Sequence, residues 1–223
     1  MAVASTSAAR MGGFARLLHV EASPRGPRSR SSDVARRLID RIAPGTVETL
    51  NLFDAELPPF DGPVMEGRYA LIAGEAVSPD VVAQWDAIRV RIDHFLSFDA
   101  WLFSVPMWNF GIPYPLKHYV DLITHPGMTF TVDETGVAGL AAGRTAIIVG
   151  SGALDIRADG PMAALDHQMA FMKSWLGFIG VTDIRTVDIR PTYGTAEDVE
   201  NAMLRAYEEA DALAAALSRP ERV

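Results

Sequence analysis

Ala100-Trp101-Leu102-Phe103-Ser104-Val105 is apolar at every position but Ser104. A strand with one face in water alternates apolar and polar residues, whereas a strand buried on both faces does not. This run therefore predicts a central strand of a parallel sheet, and Thr145-Ala146-Ile147-Ile148-Val149 predicts a second. Working outward, Phe14–Val20 is a further buried strand, Thr46–Leu52 alternates as another, and Thr182–Ile189 completes the set. Between them the period changes to that of helices. Ser32–Ile42 carries Val34, Leu38 and Ile42 at helical spacing and stops at Pro44-Gly45. A second helix starts at Pro79 behind Ser78 as N-cap, with Val82, Trp85, Ile88 or Arg89, Ile92 and Leu96 on its inner face. Pro161–Phe178 and the alanine-rich Ala196–Leu217 read as helices too, while Leu57–Pro63 is too rich in proline and glycine for regular structure.

Strands alternating with helices imply right-handed crossovers and a sheet covered on both faces. About five strands admit a Rossmann-like or a flavodoxin-like order, and in both the ligand lies beyond the carboxyl ends of the strands. Those ends are Glu21–Ser32, Pro106–Pro113 and Gly150–Gly160, so function is expected in these three loops.

Composition narrows the class. With 223 residues, 49% hydrophobic and 22% charged, the chain can bury a sizeable core and is neither disordered nor collagen-like. A net charge of −8 argues against a nucleic-acid partner, which needs a basic face. Zero cysteines exclude disulfides, thiolate zinc sites, iron–sulfur clusters and cysteine nucleophiles. No apolar run is long enough to span a bilayer, and Met1–Gly13 lacks the apolar stretch of a secretory signal. The chain thus reads as a cytoplasmic protein, with residues 1–13 as a disordered leader and 14–223 as a single domain.

The first loop, Ser23-Pro24-Arg25-Gly26-Pro27-Arg28-Ser29-Arg30-Ser31-Ser32, crowds hydroxyls and arginines just before a helix. Unpaired N–H groups and the positive end of that helix favour a phosphate; Ser23, Ser29 and Ser31 can donate and Arg30 can add charge. An N-cap with a polar turn is the competing reading. Neither GxGxxG nor GK[ST] occurs here, so a mononucleotide phosphate fits better than a dinucleotide fingerprint or a P-loop. The second loop, Met107-Trp108-Asn109-Phe110-Gly111-Ile112-Pro113, puts large apolar side chains at the open end of a buried strand. Something flat with polar edges would suit Trp108, Asn109 and Phe110, although a capping hairpin would use the same residues.

Four segments, HVEASPRGPRSRSS, FSVPMWNFGIPYPLKHYVDLIT, PGMTF and WLGFIGVTDI, resemble the FMN-dependent NADH:quinone and azo-compound oxidoreductases. The resemblance runs from about Leu17 to Tyr193 and on into the closing helix. It implies a flavodoxin-like, doubly wound α/β fold with a five-stranded parallel sheet, helices on both faces, and a homodimer with FMN at its interface. By position, Ser23 and Ser29-Arg30-Ser31 match the family's phosphate loop, and Met107-Trp108-Asn109-Phe110 its ring segment. The family's Ser-Arg-Gly-Gly is replaced by Ser151-Gly152-Ala153-Leu154, where Leu154 fills space that glycine leaves to a close backbone approach. The activity implied is two-step: NADH or NADPH gives a hydride to flavin N5, then a quinone or azo compound takes two electrons. An FAD-dependent quinone reductase and a flavodoxin-type electron carrier without NAD(P)H activity are the alternatives.

Other catalytic readings find no support. His19, His94, His118, His125 and His167 form no metal pattern, and His19, inside a strand, reads as a satisfied core residue. His118, after Lys117 in a helix, reads as a surface or dimer-contact residue. Val149 and Ala153 occupy the positions where a serine hydrolase elbow around Ser151 needs glycine. Glu208-Glu209 reads as a solvated helix face. No side chain stands out as a general base, as expected where a flavin carries the chemistry.

Overall fold

The computed structural model describes residues 13–134, 136–156, 160 and 162–218. In chain order the elements are β1 Arg16–Glu21, α1 Arg30–Ile42, β2 Thr46–Asn51, α2 Gly62–Ala73, α3 Pro79–Leu96 and β3 Ala100–Pro106. They continue with α4 Tyr114–Ile123, β4 Phe130–Asp133, β5 Gly136–Gly139, β6 Thr145–Ser151, α5 His167–Phe178, β7 Asp183–Ile189 and α6 Ala196–Leu217. Among the described residues five parallel strands form one sheet, ordered β2-β1-β3-β6-β7. That is the flavodoxin-like order, with its switch point between β1 and β3.

Every residue of β3 from Ala100 to Val105 is buried, as are all seven of β6. Alternate side chains serve two cores. Ala100, Leu102, Ile147 and Val149 pack against Val34, Ala35 and Leu38 of α1 and Ala206, Ala210 and Ala214 of α6. Trp101, Phe103, Ala146 and Ile148 face α3, α4 and α5 on the other side, where Phe95 stacks on Trp101 at 4.2 Å between ring centroids. Small alanines let α6 lie close to the sheet, which is why so alanine-rich a helix can still be buried along one face.

Four details differ from the sequence reading. Gly62 and Pro63 do not stay irregular: Asp61 caps α2 by accepting Val64 N–H, and Pro63 stands in the first turn, where its missing N–H costs nothing. The inner face of α3 uses Phe95 along with Trp85, Ile88 and Ile92; Val82 is exposed and Leu96 only half-buried. The α5 helix starts at His167, because Asp166 accepts Met169 N–H and caps it there; Pro161 lies outside the described residues, as do residues 1–12 of the expected leader. The β4–β5 hairpin was not anticipated.

That hairpin is docked by glycine. Ala141 N–H donates to Ile179 O at 2.8 Å, and a Cβ on Gly139 would lie 2.0 Å from the Ile179 carbonyl carbon. Gly180, at φ +98°, meets Gly139 from the other side. No side chain fits between two backbones this close. Gly139→Ala is expected to destabilise the protein by about 1–3 kcal/mol through overpacking, read as a lower urea midpoint. An unchanged midpoint would show that the hairpin is not held there.

Candidate functional site

The carboxyl ends of β1, β3 and β6 lie side by side, and hydrogen bonds tie their loops together. Ala22 N–H donates to Ser104 O at 3.0 Å, and Met107 N–H donates to Ser151 O at 2.6 Å. The three predicted loops thus form one edge of the sheet.

At its β1 end the turn Gly26–Arg28 leads to Ser29, which caps α1 by accepting Ser32 N–H at 3.3 Å. Ser23, Ser29 and Ser31 are all buried, and the Ser29 and Ser31 hydroxyls are 3.3 Å apart. Ser23 Oγ accepts Arg25 N–H at 3.4 Å. The polar-turn reading is therefore realised in part, since Ser29 does cap. It leaves Arg30 unexplained: its Nη1 is buried and has no hydrogen-bond partner. A buried, unpaired guanidinium nitrogen is costly, and Arg30 is the first residue of α1, the end at which a helix has unpaired N–H groups.

Beneath this loop lie two buried polar residues, His19 of β1 and Ser104 of β3. Ser104 Oγ shares a 2.7 Å hydrogen bond with His19 Nε2 and lies 3.4 Å from Ser31 O. Burial, and next Arg36, push the His19 pKa down to about 4. His19 is neutral at pH 7, and its 4.0 Å approach to Glu21 is not an ion pair.

The second loop is a tight hairpin turn. Trp108 and Gly111 exchange N–H···O bonds of 3.0 Å, while Asn109 and Phe110 have φ of 46° and 69°. Asn tolerates the left-handed region, but Phe there is an outlier costing on the order of 1–3 kcal/mol. Such strain is characteristic of functional turns. Neither Asn109 nor Phe110 donates its N–H to a backbone carbonyl among the described residues. Met107 is half-buried, whereas Trp108 and Phe110 are 38% and 39% exposed. Phe53 and Tyr114 join Trp108 at ring distances of 5.8 and 6.2 Å, so the aromatic surface is broader than the sequence run suggests.

In the third loop Ser151 and Gly152 are buried, and Ala153 and Leu154 are exposed. Gly152 N–H donates to Ile189 O, and Gly152 O accepts Thr192 N–H at 2.8 Å. Among the described residues no three His, Asp or Glu side chains gather as a metal site. His118, expected as a surface or dimer-contact residue, is half-buried in this chain and bonds Pro58 O at 2.9 Å. Glu208 and Glu209 are exposed.

A family model described as the flavodoxin-like fold matches residues 15–214. An FMN-dependent NADH:quinone oxidoreductase of Pseudomonas syringae pv. tomato is 37% identical over 205 residues, spanning 90% of this chain and 98% of its own. One from Nitratidesulfovibrio vulgaris is 37% identical over 193 residues, spanning 85% and 92%. The chain belongs to this family of flavodoxin-like NADH:quinone oxidoreductases. In fold it also resembles an FMN-dependent NADH-azoreductase of Bacillus anthracis, solved in complex with FMN, with a TM-score of 0.83 at 23% identity, covering 92% of this chain and 99% of that one. No helix among the described residues of this NADH:quinone oxidoreductase family member is long and apolar enough to cross a membrane.

A His19 buried in its neutral form makes the stability of the fold depend on pH. A group whose pKa falls from about 6.5 to about 4 on folding is less readily protonated in the native state. Its contribution is complete above pH 6.5 and lost as pH falls toward 4. Between pH 7.5 and 5.0 the wild type should lose about 2 kcal/mol of unfolding free energy through His19. His19→Gln keeps a hydrogen-bond partner for Ser104 without a proton to gain, so its loss over the same interval should be smaller by about that amount. Equal losses in urea titrations of the two proteins would show that His19 is not held neutral.

Proposed function

We propose that the chain binds FMN and uses it to oxidise NADH or NADPH and reduce a quinone or an azo compound. The observation that carries this is Arg30, first residue of α1, whose Nη1 is buried and unpartnered and whose sequence neighbours Ser29 and Ser31 are both buried with their hydroxyls 3.3 Å apart. A phosphate supplies the acceptor that this donor set lacks. Ser23, Ser29, Arg30 and Ser31 would hold that phosphate. Met107, Trp108, Asn109 and Phe110, with Ser151, Gly152, Ala153 and Leu154, would flank the ring. The residues present fit the group, and the relatives' names and the FMN complex of the azoreductase support it.

The chemistry the flavin supplies is hydride acceptance at N5 followed by two-electron transfer to the acceptor, in ping-pong order. The protein's own part is to bind and orient. The strained turn leaves the N–H groups of Asn109 and Phe110 without backbone carbonyl partners among the described residues, and as preorganised donors they would stabilise negative charge on a bound flavin. Exposed Trp108 and Phe110 offer flat surface to aromatic substrates. No side chain is assigned as the acid, and water delivers the acceptor's proton. Two apolar surfaces support a homodimer: Met65, Tyr69 and Ile72 along one side of α2, and the aromatics of the turn. Light scattering should then give about twice 24.2 kDa.

Purified protein with menadione should oxidise NADH without any partner protein, and heat should release FMN. Release of FAD would favour the extended-site alternative, and bound FMN without NADH oxidation the carrier. Arg30→Ala with Ser31→Ala should weaken FMN binding at least about tenfold, while kcat largely recovers at saturating FMN, because these residues hold the cofactor rather than the reaction. Unchanged affinity would leave the first loop a polar cap. Leu154 is 47% exposed and lends an apolar wall that disfavours bulky sulfonated dyes. Leu154→Gly should move the kcat/KM ratio toward such dyes; a constant ratio with FMN bound would place Leu154 away from the acceptor.

A further inference from the structure

Arg190 follows β7 at its carboxyl end and is 1% exposed. Its Nη1 donates to Asp166 Oδ2 at 2.7 Å, Asp188 Oδ2 at 3.1 Å and Ile156 O at 3.2 Å. Its Nη2 donates to Gln168 Oε1 at 2.6 Å, and Gln168 Nε2 passes a second bond to Val105 O at 2.7 Å. Gln168 has no exposed surface. The Nε is buried without a partner and faces Gly152, where a Cβ would stand 3.0 Å away. One guanidinium therefore reaches the third loop at Gly152 and Ile156, the cap of α5 at Asp166 and, through Gln168, the last core residue of β3 before the Met107–Phe110 segment.

A buried ion pair is weak as a source of stability, because apolar side chains of similar volume often serve as well or better. What they cannot do is fix direction. Guanidinium bonds are planar and forked, so they set both the distance and the angle between the groups they join. The groups joined here are the two loops that flank the ring in the flavin reading, which this inference rests on. These loops also meet directly, through Met107 N–H and Ser151 O.

We propose that Arg190, acting through Gln168, is a positioning residue for the flavin-ring site: it sets the spacing of the Val105–Met107 and Ser151–Ile156 segments. It does not touch the reacting atoms. Its effect is to hold the ring slot at working width before the cofactor arrives, so that binding does not have to order it.

The test uses full-length protein stripped of flavin and titrated with FMN. Gln168→Met removes both bonds of the relay. Gln168→Glu keeps an acceptor for Arg190 and loses the donor to Val105 O. Ile88→Val, in the α3 core, supplies a variant of lowered stability that touches neither loop. Both Gln168 variants are expected to raise the FMN Kd about tenfold or more, to change the visible circular dichroism of bound flavin, and to raise the acceptor KM at saturating FMN more than they lower kcat. Ile88→Val should lower the melting temperature while its FMN Kd stays within about twofold of wild type. If wild type binds FMN and both Gln168 variants match its Kd and dichroism, the positioning role is overturned and the flavin reading stands. If wild type takes up no FMN, both fall together.

Discussion

Burial of β3 and β6 on both faces is the constraint from which the rest follows. Two strands with helices above and below have no surface on which to place polar chemistry, and their backbone groups are used up in the parallel ladder. Function is displaced to the carboxyl edge, where strands end and helices begin with unpaired N–H groups. Order β2-β1-β3-β6-β7 opens that edge between β1 and β3, next to the start of α1. Beside that edge, His19 of β1 and Ser104 of β3 are buried polar residues. They pair with each other, and Ser104 reaches up to Ser31 in the loop above. The core exception and the site are thus one feature.

Around that edge the chain accepts costs it avoids elsewhere. Phe110 takes a left-handed backbone conformation, Arg30 keeps an unpaired buried nitrogen, and Arg190 carries a charge into the interior with two carboxylates around it. Each would be selected against in a scaffold built for stability alone. Their coincidence at one end of one sheet is what marks the site, more than any single residue does.

Much of this was legible in the sequence where the signal is local. Continuous apolar runs gave the buried strands, helical spacing gave α1 and α3, and the bounds of α6 are those read from its composition. The serine-arginine cluster and the Trp108-Asn109-Phe110 run stood out as strings of chemistry. The hairpin did not, because β4 and β5 are short, largely exposed and glycine-rich, with no periodicity to detect. α2 was hidden by Pro63, which looks like a breaker and is in fact a first-turn residue. Arg190, Gln168 and Phe53 were not found, because nothing in their own neighbourhoods marks them and only the fold brings them to the loops. A clue did exist for the His19–Ser104 pair: polar residues in two strands expected to be buried must find partners, and each other is the nearest choice.

Calorimetric titration of the flavin-free protein with FMN and with riboflavin, which lacks the phosphate, tests the central claim most directly. If buried serines and the unpaired guanidinium at the start of α1 are a phosphate cradle, FMN should bind at least about a hundredfold more tightly than riboflavin, given charge-assisted hydrogen bonds from several donors. Equal affinities for the two flavins, or no binding of either, would contradict it.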